Sequence, residues 1–144
     1  MNEQGISVDE LDFAAIGRSL AHHETFVFLA ETLAGWLPPS TPRGREVLQQ
    51  HYRWGHRLRD HGTILFAGPV DVDAPGPGAP GPMGRITGLL VVRAASREAA
   101  EAIAREEPFQ VAGFRSNVVH AWSIRFLQPD LDASLATALA HPVA

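Results

Sequence analysis

The sequence contains no cysteine, and all twelve of its basic residues are arginine, so it contains no lysine either. Without cysteine the chain has no disulfide, no thiolate nucleophile and no cysteine-ligated metal. Without lysine it cannot form a Schiff base with a substrate carbonyl. Any catalysis must therefore depend on histidine, carboxylate, arginine or hydroxyl groups.

Long apolar runs are also absent. The longest candidate, residues 86–92, is interrupted by Gly88 and is far shorter than the roughly 20 residues of a membrane helix, so we expect no membrane partner. The first ten residues are acidic, whereas a signal peptide is basic and then apolar, and we expect a cytoplasmic protein. The formal net charge of -4 comes without a basic patch, which argues against a nucleic-acid partner.

Motifs that bind metals or cofactors are missing. There is no glycine-rich phosphate loop with its lysine, no serine nucleophile elbow and no HExxH zinc motif. His51, His56 and His61 are five residues apart, and on a helix each such step turns about 140°, so they cannot converge on one metal ion. We expect no metal and no cofactor, and any chemistry should be acid–base chemistry.

The residue patterns predict alternating strands and helices between two terminal helices. The predicted elements are an N-terminal helix over 7–20, a strand over 25–33, a helix over 44–61, a strand over 63–68, a Pro/Gly-rich loop over 71–84, a strand over 85–93, a helix from Ser96 to Glu107, a strand over 118–126 and a C-terminal helix over 130–140. Residues 36–44, which include three prolines, are predicted to form a loop.

This order predicts an α+β fold of the ferredoxin-like type, βαββαβ, with a four-stranded antiparallel sheet and both helices on one face. We expect the domain to span residues 25–127, with an N-terminal helical arm (1–24) and a C-terminal helix or tail (128–144). The strand over 85–93 is apolar almost throughout, which is typical of a strand buried on both faces. A second copy of the chain is the simplest cover for the open face, so we expect a homodimer or a higher oligomer.

His51 is the sharpest candidate for chemistry. It lies on the apolar stripe of the helix over 44–61, together with Trp54 and Leu58. An imidazole there must be hydrogen-bonded or open to a pocket, because an unpaired polar group is costly to bury. His120 alternates with the apolar Val118 and Trp122, so it either lines the pocket or fills an interface.

Two motifs resemble those of the YciI-like, or YCII-related, proteins. HYRWGHRLRDHGTILFAGP (51–69) is similar to the family's helical histidine, glycine and strand ending in Gly-Pro, and EEPFQVAGF (106–114) is similar to its Asp-Pro-Phe/Tyr motif. The resemblance covers about residues 25–126. It implies a dimeric α/β barrel without a cofactor, and a His-Asp pair as the active centre, which here corresponds to His51 and Glu107. The aspartate of the family pattern is thus replaced by glutamate.

The resemblance also implies a substrate site that we expect to include Trp54, Gly68, Pro69, Phe109 and His120. A few relatives act as lyases or isomerases on ring compounds, among them a dehydrochlorinase of chlorinated hydroxyquinols. The first hypothesis is therefore a cofactor-independent lyase or isomerase of a small cyclic, phenolic or lactone-like compound. The second is a non-catalytic small-molecule-binding or accessory protein, and the third is a cofactor-free monooxygenase with Trp54 and Trp122 in its pocket. The loop over 71–84 is expected to be a lid, a subunit contact or a connector.

Overall fold

The computed structural model describes residues 24–72 and 86–124, which form a four-stranded antiparallel sheet with the helices on one face. The strands are β1 (Thr25–Thr32), β2 (Ile64–Pro69), β3 (Ile86–Arg93) and β4 (Arg115–Ala121). The helices are α1 (Pro42–Asp60), α2 (Arg97–Glu106) and the short α3 (Pro108–Val111). The strand order is β2-β3-β1-β4, and the predicted ferredoxin-like α+β fold is confirmed.

β1 lies in the middle of the sheet and pairs with both β3 and β4. Phe28 stands opposite Leu90 on one side and Val119 on the other, so the three side chains share one face of the sheet. That face meets the helices, and their packing excludes water from the main core. The buried residues of this core are Phe26, Phe28, Trp54, Ile64, Leu90, Val92, Ala94, Ala100 and Ala104.

α1 begins two residues before the predicted Gly44, inside the segment that was predicted to be a loop. The Thr41 hydroxyl accepts a hydrogen bond from the Gly44 N–H, at 3.1 Å, and Pro42 takes the first helical position. Proline is well tolerated there because the first N–H groups of a helix have no partner in the helix. The helix ends as predicted, with Gly62 in the left-handed region at φ +75°.

β4 is the largest correction to the predicted elements. The prediction placed it over 118–126, but pairing with β1 begins at Arg115, opposite Thr32, and ends at Ala121, opposite Phe26. The strand was predicted too far towards the C-terminus because its apolar and aromatic residues lie there. The polar start was missed because Arg115 and Asn117 have partners inside the fold that only the tertiary structure supplies.

The predicted helices over 7–20 and 130–140, and residues 73–84 of the predicted loop, lie outside the described residues. Within the described ranges, no helix has the length and hydropathy needed to cross a membrane.

The start of α1 gives a test of the packing. A Cβ on Gly44 would lie 2.0 Å from the carbonyl oxygen of Pro38, whereas a Cβ on Gly55 in the same helix would meet nothing within 4 Å. We expect Gly44→Ala to lower the free energy of unfolding by about 1–3 kcal/mol, because a backbone must shift to relieve the contact. Gly55→Ala should instead stabilise the helix, by up to about 1 kcal/mol. Urea unfolding measures both, and equal stability of the two variants would contradict this packing.

Candidate functional site

A cavity of about 550 Å³ opens between α1, β2, β3 and the short helix α3. Its walls are mainly apolar and aromatic, with a smaller number of polar groups. This composition is typical of a site for a small organic molecule. The residues that carry the arguments below are Thr32, Trp36, His51, Trp54, Arg59, Gly68, Pro69, Thr87, Gly88, Phe109 and Arg115.

His51 reaches this cavity from the middle of α1. Its Nδ1 atom lies 2.5 Å from Oε1 of Glu107, and its side chain is 22% exposed. The ring also stacks against Phe109, with centroids 4.4 Å apart, and against Trp54, at 6.0 Å. The hydrogen bond and the two stacked rings together hold the imidazole in one orientation.

Glu107 lies behind His51, with no exposed surface. It is the residue between α2 and α3, and it forms the C-cap of the first helix and the N-cap of the second. Its side chain accepts hydrogen bonds from the Phe109 and Gln110 N–H groups, at 3.2 and 3.0 Å. Oε2 also accepts from Arg115 Nε and from Asn117 Nδ2, each at 3.3 Å.

These donors decide the charge of the buried carboxyl group. Burial by itself raises the pKa of Glu107. The hydrogen bond from His51, the charge of Arg115 and the N–H of Phe109 outweigh burial and lower this pKa to about 2. In the reverse direction, burial lowers the pKa of Arg115, and the charge of Glu107 offsets part of this effect. Glu107 is therefore an anion near neutral pH.

The ionised carboxylate determines which nitrogen of His51 carries a proton. A carboxylate only accepts hydrogen bonds, so Nδ1 must be the donor in the contact with Glu107. In the neutral ring Nε2 is then unprotonated, and no hydrogen bond joins it to another described residue. This arrangement leaves one nitrogen of a fixed imidazole available to take a proton from a molecule in the cavity.

A second apolar cluster, distinct from the main core, packs against the residues of the site. It packs Val47 of α1 against Phe109 and Phe114, with Trp36 and Leu48 at its edge. Val47 lies one turn before His51 in α1, and Phe109 lies two residues after Glu107. The cluster therefore joins the two elements that carry the histidine and the glutamate.

The structure brings together most of the residues that the sequence pointed to. His51, Trp54, Gly68, Pro69 and Phe109 line the cavity, and Glu107 lies directly behind His51. The exception is His120, which is exposed on the sheet face away from the helices, opposite Val27. The sheet separates it from the cavity, because its neighbour Val119 packs against the main core and successive residues of a strand point to opposite faces.

Sequence reasoning underrated three polar residues that complete the site. They are Gln110, Arg115 and Asn117, and none of them was among the predicted site residues. The Gln110 side-chain oxygen accepts from Asn117 Nδ2 at 3.0 Å, and this bond fixes the amide beside Glu107. The signal was the alternation of Arg115, Asn117 and Val119, which places all three on the helix-facing side once the strand starts at residue 115.

The described residues contain no group of three or more histidines and carboxylates placed to hold a metal ion.

A known protein family matches most of the chain. The family model of the YCII-related domain matches residues 21–123. A similar solved structure is that of 5-chloro-2-hydroxyhydroquinone dehydrochlorinase from Burkholderia phenoliruptrix AC1100, in complex with 2,5-dihydroxybenzoquinone. It shares 19% sequence identity, with a TM-score of 0.49, and the match covers 70% of this chain and 95% of that chain. No curated protein matches the sequence significantly.

The low pKa of Glu107 predicts how stability depends on pH. Since the folded-state pKa, about 2, lies below the unfolded value of about 4.3, the charged group stabilises the fold fully above the unfolded pKa. This contribution, roughly 3 kcal/mol, is lost as the pH falls towards the folded value. Urea unfolding between pH 7 and pH 3 should therefore show a steeper loss for the wild type than for Glu107→Gln. Glu46→Gln, at an exposed carboxylate of α1, is the control and should follow the wild type.

Proposed function

The chain belongs to the YCII-related family, and we propose that it is a cofactor-independent lyase or isomerase that moves a proton on a small cyclic, phenolic or lactone-like compound. The observation that carries the proposal is the 2.5 Å contact between His51 Nδ1 and Glu107 Oε1 at the wall of an apolar cavity. A fixed imidazole with one free nitrogen is the basic requirement for general acid–base catalysis.

In the proposed reaction, His51 Nε2 takes a proton from the bound compound. The positive charge that develops on the ring is stabilised by the Glu107 carboxylate, which accepts the Nδ1 proton throughout as a hydrogen bond and stays ionised. His51 then returns the proton, either to another atom of the substrate or to a departing group. The first course is an isomerisation and the second an elimination.

The cavity walls suit a flat, mostly apolar substrate. Trp54 and Phe109 both stack against the His51 ring. A substrate ring that contacts these walls is held by dispersion and by aromatic contacts. Gly68 and Pro69 form the opposite wall at the end of β2. A Cβ on Gly68 would meet nothing within 4 Å, so we assign Gly68 to the wall of the cavity and not to tight packing.

The two alternatives are less well supported. The non-catalytic binding protein was suggested by the replacement of the family aspartate by glutamate, but Glu107 lies within hydrogen-bond distance of the imidazole, which removes the reason for that suggestion. The monooxygenase hypothesis expected both Trp54 and Trp122 in the pocket. Trp54 lines the cavity, whereas Trp122 follows β4 and is 40% exposed.

Turnover of the two site variants tests the proposal, after a screen of hydroxylated rings, quinones and lactones for a substrate. We expect His51→Ala to lower kcat by about 10²–10⁴, the usual contribution of a general base. Glu107→Gln should lower it by a similar factor, because an amide that donates to Nδ1 favours the wrong tautomer. Unchanged turnover in both variants would rule out the mechanism.

Two further variants serve as controls for that assay. His61→Asn changes an exposed histidine at the C-cap of the same helix and should keep wild-type kcat. Glu107→Asp restores the residue type of the family but shortens the side chain by one methylene. Because Glu107 also caps α3, we expect the aspartate to cap the helix but to contact His51 less closely, with an intermediate kcat.

A second copy of the chain is the proposed cover for the face of the sheet away from the helices. Val118 stands opposite Leu29 on that face, since their neighbours Val119 and Phe28 point into the helix side. Val118 is 45% exposed. Apolar side chains on an open sheet face are typical of a surface that binds a partner.

Light scattering combined with size exclusion tests this assembly. Wild-type protein should have at least twice the mass of one chain, and Val118→Asp should reduce the mass towards that of one chain, because the interface would bury an unpaired charge. Val111→Asp is the matched control, since Val111 is 71% exposed on the short helix α3, and it should assemble as the wild type does. A wild-type mass of one chain would exclude the dimer.

A further inference from the structure

We propose that Arg115 is the anion-binding residue of the cavity, and that the compound bound beside His51 carries an anionic oxygen, as a ring carboxylate or a phenolate. Because it names the substrate class of the same cavity, this proposal rests on the proposed function. Binding measurements test this proposal without turnover, so the proposal and the proposed function can fail independently.

One edge of the Arg115 guanidinium is held in place by the fold. Its Nε donates to Glu107 Oε2 at 3.3 Å, and its Cζ lies 4.8 Å from the centre of the Phe109 ring. Gly88 leaves room for the side chain, since a Cβ there would lie 3.1 Å from Nη1. Arginine bound in this way loses its conformational freedom during folding, so a ligand does not have to order it.

The other edge of the guanidinium is free. Neither Nη atom has a hydrogen-bond partner in the described part of the chain, and neither belongs to the unpartnered atoms that are sealed from solvent. Arg115 lines the cavity, so these Nη groups are accessible from inside it. Their planar fork matches the two oxygens of a carboxylate, and it can also bind a single phenolate oxygen.

Further polar groups lie at the same end of the cavity. Thr32 stands opposite Arg115 in the sheet, and its hydroxyl is 2.6 Å from that of Thr87, the neighbour of Gly88. Both threonines line the cavity. The cavity therefore has a polar end at Arg115 and aromatic walls at Trp54 and Phe109, which fits a ring that carries a polar group on one side.

The charges around the cavity favour an anion. Its described lining includes two arginines, Arg59 and Arg115, and two histidines, but no carboxylate. The single charge of Glu107 balances that of Arg115 while His51 is neutral. When His51 takes a proton, the three groups together carry one uncompensated positive charge, and a substrate anion at Arg115 would restore the balance.

The same placement suits the proton transfer. When a C–H or O–H proton moves to His51 Nε2, the bonding electron pair stays on the substrate and is delocalised onto its oxygen. Arg115 donates hydrogen bonds to that oxygen and stabilises the charge while it develops. In an isomerisation this pair binds the proton that His51 returns. In an elimination it forms the new double bond, while the departing group leaves with its own bonding pair and accepts the proton from His51, so neither course requires an oxidant or a reductant.

Isothermal titration with matched probes tests the proposal. The anions are benzoate and 4-nitrophenolate, and their uncharged counterparts are benzamide and 4-nitroanisole. We expect both anions to bind the wild type about tenfold or more tightly than their counterparts, because a hydrogen bond between charged groups contributes this much. Binding of the carboxylate alone or of the phenolate alone would identify which source of the anionic oxygen is used.

The variants separate Arg115 from general electrostatics. Arg115→Lys keeps a positive charge near Glu107 but lacks the fork, and it should weaken anion binding about tenfold or more. Gly88→Ala, which crowds Nη1, should weaken it severalfold in a protein with unchanged circular dichroism. Arg53→Gln, at an exposed position of α1 outside the described cavity lining, should bind as the wild type does. His51→Ala should still bind the anions.

Three results would overturn the proposal. They are equal affinity for anions and their uncharged counterparts, no measurable binding of either anion, and wild-type affinity in a folded Arg115→Lys protein. If the anions bind through Arg115 but His51→Ala keeps full turnover, the proposed mechanism fails while the assignment of Arg115 stands.

Discussion

The site depends on one buried carboxylate. A carboxylate without exposed surface is strongly destabilising unless hydrogen bonds and opposite charges surround it, and Glu107 has both. It accepts hydrogen bonds from the His51 ring, from two backbone N–H groups of α3, from the Arg115 guanidinium and from the Asn117 amide. The donors come from three elements, α1, α3 and β4, so the fold must be complete before the carboxylate is satisfied. In return, the carboxylate orients the two side chains that face the cavity.

The glutamate that stands in place of the family aspartate has two structural roles. Glu107 caps α3 with its own side chain and reaches His51 and Arg115 with the same two oxygens. One side chain therefore contacts a residue on α1 while its backbone remains between α2 and α3. His51 and Arg115 thus share one counter-ion.

Much of the fold follows from local patterns. The strands were predicted from β-branched and aromatic runs, and the helices from their caps and apolar stripes. The Ser96 N-cap and the left-handed Gly62 are signals that operate within a few residues. The errors lie where a signal was masked. The first turn of α1 and the one-turn helix α3 were not predicted because each begins with a proline, a residue that usually ends an element. The polar first residues of β4 were left out because the prediction followed the apolar residues at its end.

The sequence by itself determined the element order, the helix that carries His51, and the pairing of that histidine with Glu107 through family resemblance. Only the tertiary structure decided that Arg115 and Asn117 join the same carboxylate and that His120 lies across the sheet from the cavity. The physical reason is that helix caps and apolar periodicity depend on neighbours in the sequence, whereas the environment of a buried charge depends on groups that can lie far away in the sequence. Glu107, for example, accepts a hydrogen bond from His51, which is more than fifty residues away. The predicted strand began three residues too late, so Arg115 was left outside it, and its position opposite Thr32 in the sheet could not be foreseen.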